Sequence, residues 1–208
     1  MRELVLYHHP FSRAASVVWM LEEIGQPYRL EYVDFAANQQ KGPELRALNP
    51  MGKIPILVDG EAVITETAAI GLYLADRYAL GRLAPALDSP DRGLYLRSLF
   101  FPSAVMEPSA LAQLRGWEVP ASQAGFGDHA SMLATLDALI GKGPYILGDT
   151  FSMADMVLGA SLRYMLRFKM VEATPHRFGY AERLGHRPAL VAADAKNAEI
   201  INARGLGR

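Results

Sequence analysis

The sequence contains no cysteine among its 208 residues. This absence excludes disulfides, thiolate metal sites, a cysteine nucleophile and a C-x-x-C redox pair. If the protein carries out sulfur chemistry, the sulfur must therefore arrive on a ligand.

An excess of one charge and long apolar runs are also missing. The 21 basic and 22 acidic residues give a net charge of −1, so no overall basic field attracts nucleic acid or an anionic membrane. No stretch has the length of a membrane span, and "MRELVLYHHPFSRAAS" has too short an apolar run for a secretory signal. These absences predict a cytoplasmic protein whose partners include neither nucleic acid nor membranes.

The first third of the chain has the pattern of a small α/β domain. Residues 3–7 form a short apolar run typical of a buried strand, residues 12–24 have helical spacing, and residues 28–35 alternate as in a second strand. Such a strand–helix–strand unit normally forms a parallel pair. Residues 38–49 are weakly helical, "IPILV" and "EAVIT" flank an Asp59-Gly60 turn signal, and a helix is predicted over 68–78. The order predicts a mixed sheet.

The rest of the sequence shows no strand pattern. Residues 84–90 lack periodicity and have the composition of a linker. Helices are predicted over 91–117, with Pro102 and Pro108 kinking or splitting the first, and over 122–140, 151–168, 180–184 and 188–201. "SMAD", which begins at Ser152, fits a capping box. We therefore predict an α/β domain over 1–80, a linker over 81–90 and an all-helical domain over 91–208.

Four candidate functional motifs fall in the first domain. They are "HHPFSRA" after the first strand, Lys41, "GKIP" before the third strand, and "TETA" at the start of a helix. The loop after strand one and the helix after the hairpin border the same sheet edge, so we expect these features to converge. Glu66 and Thr67 suit an ordinary helix start, but the same helix end also binds carboxylates.

The order and spacing of these motifs resemble the cytosolic glutathione S-transferase family, as a bacterial member of Ser type or of unassigned class. "NPMGKIPILVDGEAVITETAAIGLYL" is similar to its N-terminal signature and "PYILGDTFSMADMVLG" to its helical signature. The resemblance implies a thioredoxin-like N-terminal domain followed by a helical C-terminal domain. It implies a detoxification enzyme that uses glutathione as co-substrate, without a permanently bound cofactor, and acts as a homodimer on small hydrophobic electrophiles.

The resemblance also implies roles for individual residues in holding glutathione. It implies a cis Ile54–Pro55 bond that leaves the backbone of Ile54 free for the peptide, where the residues alone allow a trans proline at a strand start. Glu66 and Thr67 would hold the γ-glutamyl end. Lys41 and Lys53 are candidates for the glycine carboxylate, although lone surface lysines are usually only solvated.

Ser12 is the predicted catalytic residue, because the family activates the thiol with a side chain near the first strand–helix turn. The alternative is that Ser12 only caps the helix. His9, the backbone N–H of Phe11, and Arg13 remain competitors, whereas Tyr7 lies inside the first strand and is expected to be structural.

The electrophile pocket is the least determined part of the site. Its expected lining consists of apolar residues, which the same pattern would also place in the core. Three arginines, Arg97, Arg163 and Arg167, are candidates for binding an anionic substrate, with ordinary solvated surface residues as the alternative. The histidines lack ligand-like spacing, so no metal is predicted. The predicted lining residues are Phe11, Phe101, Val105, Met106 and Tyr164.

Two other functions remain open. One is a glutathione-dependent isomerase of maleylacetoacetate type, which would favour basic residues around the pocket. The other is a non-catalytic scaffold similar to the stringent starvation proteins. Reduction of organic hydroperoxides is a further reaction that the same thiolate would support.

Overall fold

A computed structural model describes residues 3–207, which divide into two compact units. One unit comprises the chain up to Tyr78 together with the residues from Arg187 onward, and the other runs from Ala79 to His186. The first contains the sheet, and the second is helical. Among the described residues, no helix has both the length and the apolar character needed to cross a membrane.

The first unit is built on a four-stranded mixed sheet in the order β2-β1-β3-β4. β1 runs parallel to β2 and antiparallel to β3, and β3 runs antiparallel to β4. This confirms the mixed sheet predicted from the chain order. The elements are β1 (Leu4–His8), α1 (Ala14–Ile24), β2 (Tyr28–Tyr32), a 3-10 turn (Gln39–Lys41), α2 (Pro43–Leu48), β3 (Ile56–Asp59), β4 (Ala62–Thr65), α3 (Thr67–Tyr78) and α9 (Pro188–Ala203).

Helix α1 shows how the apolar pattern positions these elements. Val17, Val18 and Leu21 are fully buried along it, and each such side chain contributes roughly 1.5–3 kcal/mol through its burial. Gly25 ends the helix at φ +74°, where its N–H donates to the carbonyl of Leu21. A glycine adopts this left-handed conformation without the steric cost of a Cβ.

The hairpin turn differs by one residue from the prediction. Asp59 pairs with Ala62, so the two loop residues are Gly60 and Glu61 rather than Asp59 and Gly60. Gly60 has φ +64°, which suits the first central position of such a turn. Asp59 is instead a buried strand residue whose carboxylate accepts a hydrogen bond from Tyr73 Oη at 2.8 Å. Its role is to join β3 to α3.

The second unit confirms the predicted succession of helices but moves several boundaries. The first helix is interrupted at its prolines: α4 ends before Pro102, and α5 carries Pro108 in its first turn. The predicted helix over 122–140 begins only at His129, because Asp128 accepts from Ser131 N–H and caps it. The elements are α4 (Arg92–Phe101), a π-helical segment (Pro102–Met106), α5 (Glu107–Arg115), α6 (His129–Ile140), α7 (Met153–Arg167) and α8 (Pro175–Gly185).

The predicted capping box at the start of α7 is present and buried. The carboxylate of Asp155 accepts from Ser152 N–H at 2.9 Å, and the Ser152 side chain caps the helix in return. The same carboxylate also accepts from Ile146 N–H and Tyr180 Oη, each at 2.8 Å. Desolvation raises the pKa of Asp155, against the opposing effect of these hydrogen bonds. This residue therefore connects three segments of the helical unit.

Helix α9 belongs to the sheet unit, whereas the sequence prediction assigned it to the helical domain over 91–208. Arg187, just before α9, donates to both oxygens of Glu23 on α1, at 2.6 and 3.0 Å. Lys196 donates to Glu22 at 2.6 Å. Opposite charges on α1 and α9 thus fix the contact, and helical periodicity alone gave no indication of this partner.

Candidate functional site

The strand register brings the three predicted site segments to one edge of the sheet. Tyr7 pairs with Ile56, and Ile56 pairs with Thr65. Three segments therefore lie within two residues of these paired positions: the loop after β1, the Ile54–Pro55 pair before β3, and Glu66–Thr67 after β4. Three of the four features that were expected to converge therefore lie at the same sheet edge, whereas Lys41 lies in the 3-10 turn Gln39–Lys41.

Ser12 lies in the loop between β1 and α1. Its Oγ donates to the carbonyl of His9 at 2.7 Å and accepts from Ala14 N–H at 3.1 Å. Ser12 thus accepts from the first N–H of α1, but the N-cap residue is Arg13, and the helix has no side-chain capping hydrogen bond at that position. The side chain is half-buried.

The competitors of Ser12 have other surroundings. His9 is buried and stacks on Phe35 with ring centroids 4.2 Å apart. Its Nδ1 accepts from Phe11 N–H at 3.1 Å, which occupies the lone pair that a general base would use. Desolvation lowers the pKa of His9, partly offset by Asp34. Tyr7 packs against the apolar cluster around Ile56, as expected of a structural residue.

The turn before β3 presents the backbone of Ile54. The Ile54–Pro55 peptide bond is cis. Asn49 supports this turn, since its Nδ2 donates to the carbonyl of Lys53 at 2.9 Å and its Oδ1 accepts from Met51 N–H at 3.1 Å. Within residues 3–207, neither the N–H nor the C=O of Ile54 has a hydrogen-bond partner. An extended peptide can pair with both groups.

Lys41 lies beside this turn. Its Nζ donates to the carbonyl of Met51 at 3.2 Å. Gly52 has φ +58°, and a Cβ there would come within 2.9 Å of both Lys41 Cδ and the carbonyl of Gln40. Gly52 thus allows the close approach of Lys41. Lys53 is exposed on the turn before β3, and Lys41 contacts this turn from the 3-10 segment Gln39–Lys41.

Gln40 and Asn49 are candidate site residues that the sequence interpretation missed. Oε1 of Gln40 is buried and has no hydrogen-bond partner within the described chain, and a buried acceptor of this kind is costly unless something pairs with it. The only sequence signal was the polar character of residues 38–49, which does not distinguish them from an ordinary surface segment.

Glu66 and Thr67 form the start of α3. Thr67 is the first helical residue of α3, and Glu66 precedes it with φ +68°. A non-glycine residue in this region costs roughly 1–2 kcal/mol, and such residues concentrate at functional sites. The Glu66 carbonyl accepts from Ile70 N–H at 2.9 Å. The first N–H groups of α3 have no acceptor within the helix, so they can bind an anion.

The predicted electrophile pocket is only partly exposed. Phe101 and Met106 are buried, so they belong to the core of the helical unit rather than to an open pocket. Val105 is half-buried. Tyr164 is exposed and packs on Phe168 with ring centroids 4.7 Å apart. Phe11, in the sheet unit, is exposed beside His9.

A cavity of about 520 Å³ lies in the helical unit, between the end of α5 and the start of α6. None of the five predicted pocket residues lines it. Aromatic side chains form part of its wall, together with a hydrogen-bonded pair, Ser109 Oγ and His129 Nδ1, 3.2 Å apart. The lining includes Ser109, Trp117, Val119, Pro120, Phe126 and His129.

Comparison with known proteins matches both halves of the chain to one family. The model of the glutathione S-transferase N-terminal domain matches residues 2–76, and that of the C-terminal domain matches residues 120–185. Glutathione S-transferase 3 of Zea mays is 32% identical over 206 residues, covering 91% of this chain and 92% of its own. Glutathione S-transferase 1 of Schizosaccharomyces pombe is 28% identical over 230 residues, covering 97% of this chain and all of its own.

A solved structure shows the same architecture. A glutathione transferase homologue from Sulfitobacter, with bound glutathione, is 26% identical and superposes with a TM-score of 0.75 over 94% of this chain and 99% of its own. This agreement confirms the predicted thioredoxin-like domain followed by a helical domain. The two family matches and the Zea mays relative establish that the chain belongs to the glutathione S-transferase family.

Proposed function

We propose that this chain is a glutathione transferase of Ser type. The observation that carries the proposal is the register that brings the Ser12 loop, the unpaired backbone of Ile54 and the start of α3 to one sheet edge. Glutathione is the co-substrate, and a small hydrophobic electrophile is the second substrate. The predicted homodimer, bacterial origin and cytoplasmic location belong to this proposal as expectations.

Each part of glutathione meets a complementary group. The backbone N–H and C=O of Ile54 pair with the cysteinyl residue of the peptide, as in strand addition. The free N–H groups at the start of α3 and the hydroxyl of Thr67 bind the γ-glutamyl carboxylate, and Glu66 accepts from its ammonium. Lys53, on the turn before β3, and Lys41, which contacts that turn through the carbonyl of Met51, bind the glycine carboxylate.

Ser12 stabilises the thiolate. A cysteine thiol has a pKa of about 8.5, so only a few per cent is ionised near neutral pH. When glutathione binds, the Ser12 hydroxyl donates to the sulfur instead of to the His9 carbonyl, and the thiol proton leaves to solvent. Each pKa unit by which the thiolate is favoured corresponds to about 1.4 kcal/mol. The thiolate then attacks the electrophilic carbon, forms the C–S bond and displaces the leaving group.

The other reactions use the same thiolate. Hydroperoxide reduction and isomerisation of maleylacetoacetate type both begin with the same bound thiolate. In the first reaction the sulfur takes an oxygen from the hydroperoxide and a second glutathione then forms the disulfide, whereas in the second reaction glutathione adds to the substrate and is released unchanged. The scaffold alternative requires no thiolate. Thiolate formation on the bound peptide is therefore the property that separates the enzymatic functions from the scaffold.

The test compares Ser12→Ala with Ser16→Ala. Ser16 is a matched control, because its hydroxyl donates to the carbonyl of Arg13 at 2.8 Å in the first turn of the same helix. We expect Ser12→Ala to raise the pKa of bound glutathione, seen as loss of thiolate absorbance, and to lower kcat with chlorodinitrobenzene by roughly 10–100-fold. The KM for glutathione should change little. Equal effects of the two variants would contradict the role of Ser12.

A further inference from the structure

The carboxamide of Asn197, on helix α9, links both ends of the loop that carries Ser12. Its Oδ1 lies 2.7 Å from Nε2 of His8, the last residue of β1. Its Nδ2 lies 2.9 Å from the carbonyl of Ala193 and 3.5 Å from the carbonyl of Ala15 in the first turn of α1. One side chain from the C-terminal end of the sequence thus contacts the residues that precede and follow the loop.

The chemistry of the neighbours fixes the direction of these hydrogen bonds. Two carbonyl oxygens face the Nδ2 end of Asn197, so that end must be the donor. Oδ1 is then the acceptor, and His8 must donate from Nε2 as the neutral tautomer protonated there. Nδ1 of His8 is buried and has no hydrogen-bond partner in the described chain. Among the described residues, the hydrogen bond to Asn197 is therefore the one side-chain hydrogen bond of this ring.

The contacts that Asn197 makes with both ends of the loop are shielded from water. His8 is fully buried, and Asn197 is 9% exposed, so water does not readily replace a lost contact. Between the two anchored ends, the loop is closed by Ser12 N–H to the carbonyl of His9 at 3.0 Å and Ala15 N–H to the carbonyl of Ser12 at 3.1 Å. A shift of either end therefore changes the position of the Ser12 hydroxyl.

We propose that Asn197 is a positioning residue that holds the end of β1 and the first turn of α1 at the separation which places the Ser12 hydroxyl against the thiol. This inference rests on the proposed function, and it extends the machinery of the reaction to a helix near the end of the chain. Loss of the carboxamide should impair thiolate formation more than glutathione binding, since Ile54, Glu66 and Lys41 lie on other segments.

A purely structural role for Asn197, as one of several contacts that dock α9, gives a different expectation. The neighbouring residue Lys196 also docks α9, through Glu22 at 2.6 Å and Tyr28 Oη at 2.8 Å. Glu22 and Tyr28 lie near the far end of α1 and the start of β2, away from the Ser12 loop. Lys196→Met thus weakens the same helix contact without touching the loop, which makes it the matched control.

The experiment compares Asn197→Leu, which keeps similar volume without hydrogen bonds, with Lys196→Met and the unaltered full-length protein. We expect Asn197→Leu to lower kcat about tenfold and to raise the pKa of bound glutathione, with the KM for glutathione changed less than twofold. Lys196→Met should lower the melting temperature but leave the pKa of the thiol and kcat unchanged. Asn197→Gln, which keeps both amide functions on a longer stem, should recover part of kcat.

Amide hydrogen exchange in the absence of glutathione provides a readout that does not depend on the reaction. Exchange at Ser12 and Ala15 should be faster in Asn197→Leu but not in Lys196→Met. Unchanged exchange and an unchanged thiol pKa in Asn197→Leu, or equal changes in the two variants, would overturn the inference. If the unaltered protein forms no thiolate although Asn197→Leu speeds exchange in the loop, the proposed function fails while the anchoring of the loop stands.

Discussion

Replacing Gly52 by alanine should weaken glutathione binding through the displacement of Lys41. Gly52 precedes Lys53 and Ile54, and it has φ +58°. The added Cβ would lie 2.9 Å from the carbonyl of Gln40 and 2.9 Å from Lys41 Cδ. The carbonyl belongs to the backbone and cannot simply swing away, so the segment that carries Lys41 must move.

The expected magnitude has two parts. Alanine in the left-handed region costs roughly 1–2 kcal/mol, which for a chain of this size lowers the melting temperature by about 2–8 °C. Displacement of Lys41 removes a charge-assisted hydrogen bond to the ligand, worth about 1.5–3 kcal/mol. Since about 1.4 kcal/mol corresponds to a factor of ten, the Kd for glutathione should rise roughly 10–100-fold.

The control is Gly25→Ala. Gly25 has φ +74°, and nothing lies within 4 Å of a Cβ built there, so this variant carries the backbone strain without the clash. Both variants should lose thermal stability in differential scanning calorimetry, but only Gly52→Ala should bind glutathione more weakly in isothermal titration calorimetry. Wild-type affinity in Gly52→Ala would refute the reasoning that places Lys41 in the site through this contact.

Two further predictions concern stability. Desolvation, opposed by the hydrogen bond to Asn197 and aided by the charge of His9, lowers the pKa of His8 from 6.5 to about 4. The unfolded chain therefore binds a proton first on acidification, so stability is lost as the pH falls from 6.5 toward 4, by about 2 kcal/mol between pH 7 and pH 5. Urea unfolding should show this loss, and a His8→Gln variant with the same pH dependence would contradict it. Asp155→Ala leaves the buried donors of Ile146, Ser152 and Tyr180 unpaired, so unfolding should cost at least about 3 kcal/mol less. The exposed neighbour Asp149→Ala should change little in the same thermal melt, and equal losses would refute the role of the capping box.

The fold was largely predictable because its signals are local. The apolar run of β1, the Gly25 stop and the "SMAD" box each depend on neighbouring residues, and the structure contains all three. The sequence pattern predicts the hairpin turn one residue early, because Asp-Gly is a common pair at the centre of such turns. The actual partners of Asp59, such as Tyr73, come from a helix that follows in the sequence, and no local pattern indicates that contact.

The sequence indicated the segments that form the candidate site, but not the residues that hold those segments in place. Ser12, Ile54 and Glu66 lie in motifs with characteristic spacing, so the sequence indicated them. Asn197 contacts His8 and the carbonyl of Ala15, which are far away in the sequence, and Gly52 approaches Gln40 and Lys41. Nothing in the local sequence around Asn197 or Gly52 indicates these contacts. Phe101 and Met106 were predicted to line the pocket but are buried, because an apolar residue on a helix gives the same sequence pattern in a pocket and in the core.

Isothermal titration of the 208-residue chain with glutathione tests the central claim most directly. The convergence of Ile54 and Glu66 at one sheet edge, with Lys41 beside the turn before β3, predicts a saturable heat with one site per chain. This heat should weaken when Glu66 is replaced by alanine. Absence of any heat at millimolar glutathione would contradict the account, because each enzymatic function considered for this chain begins with that complex.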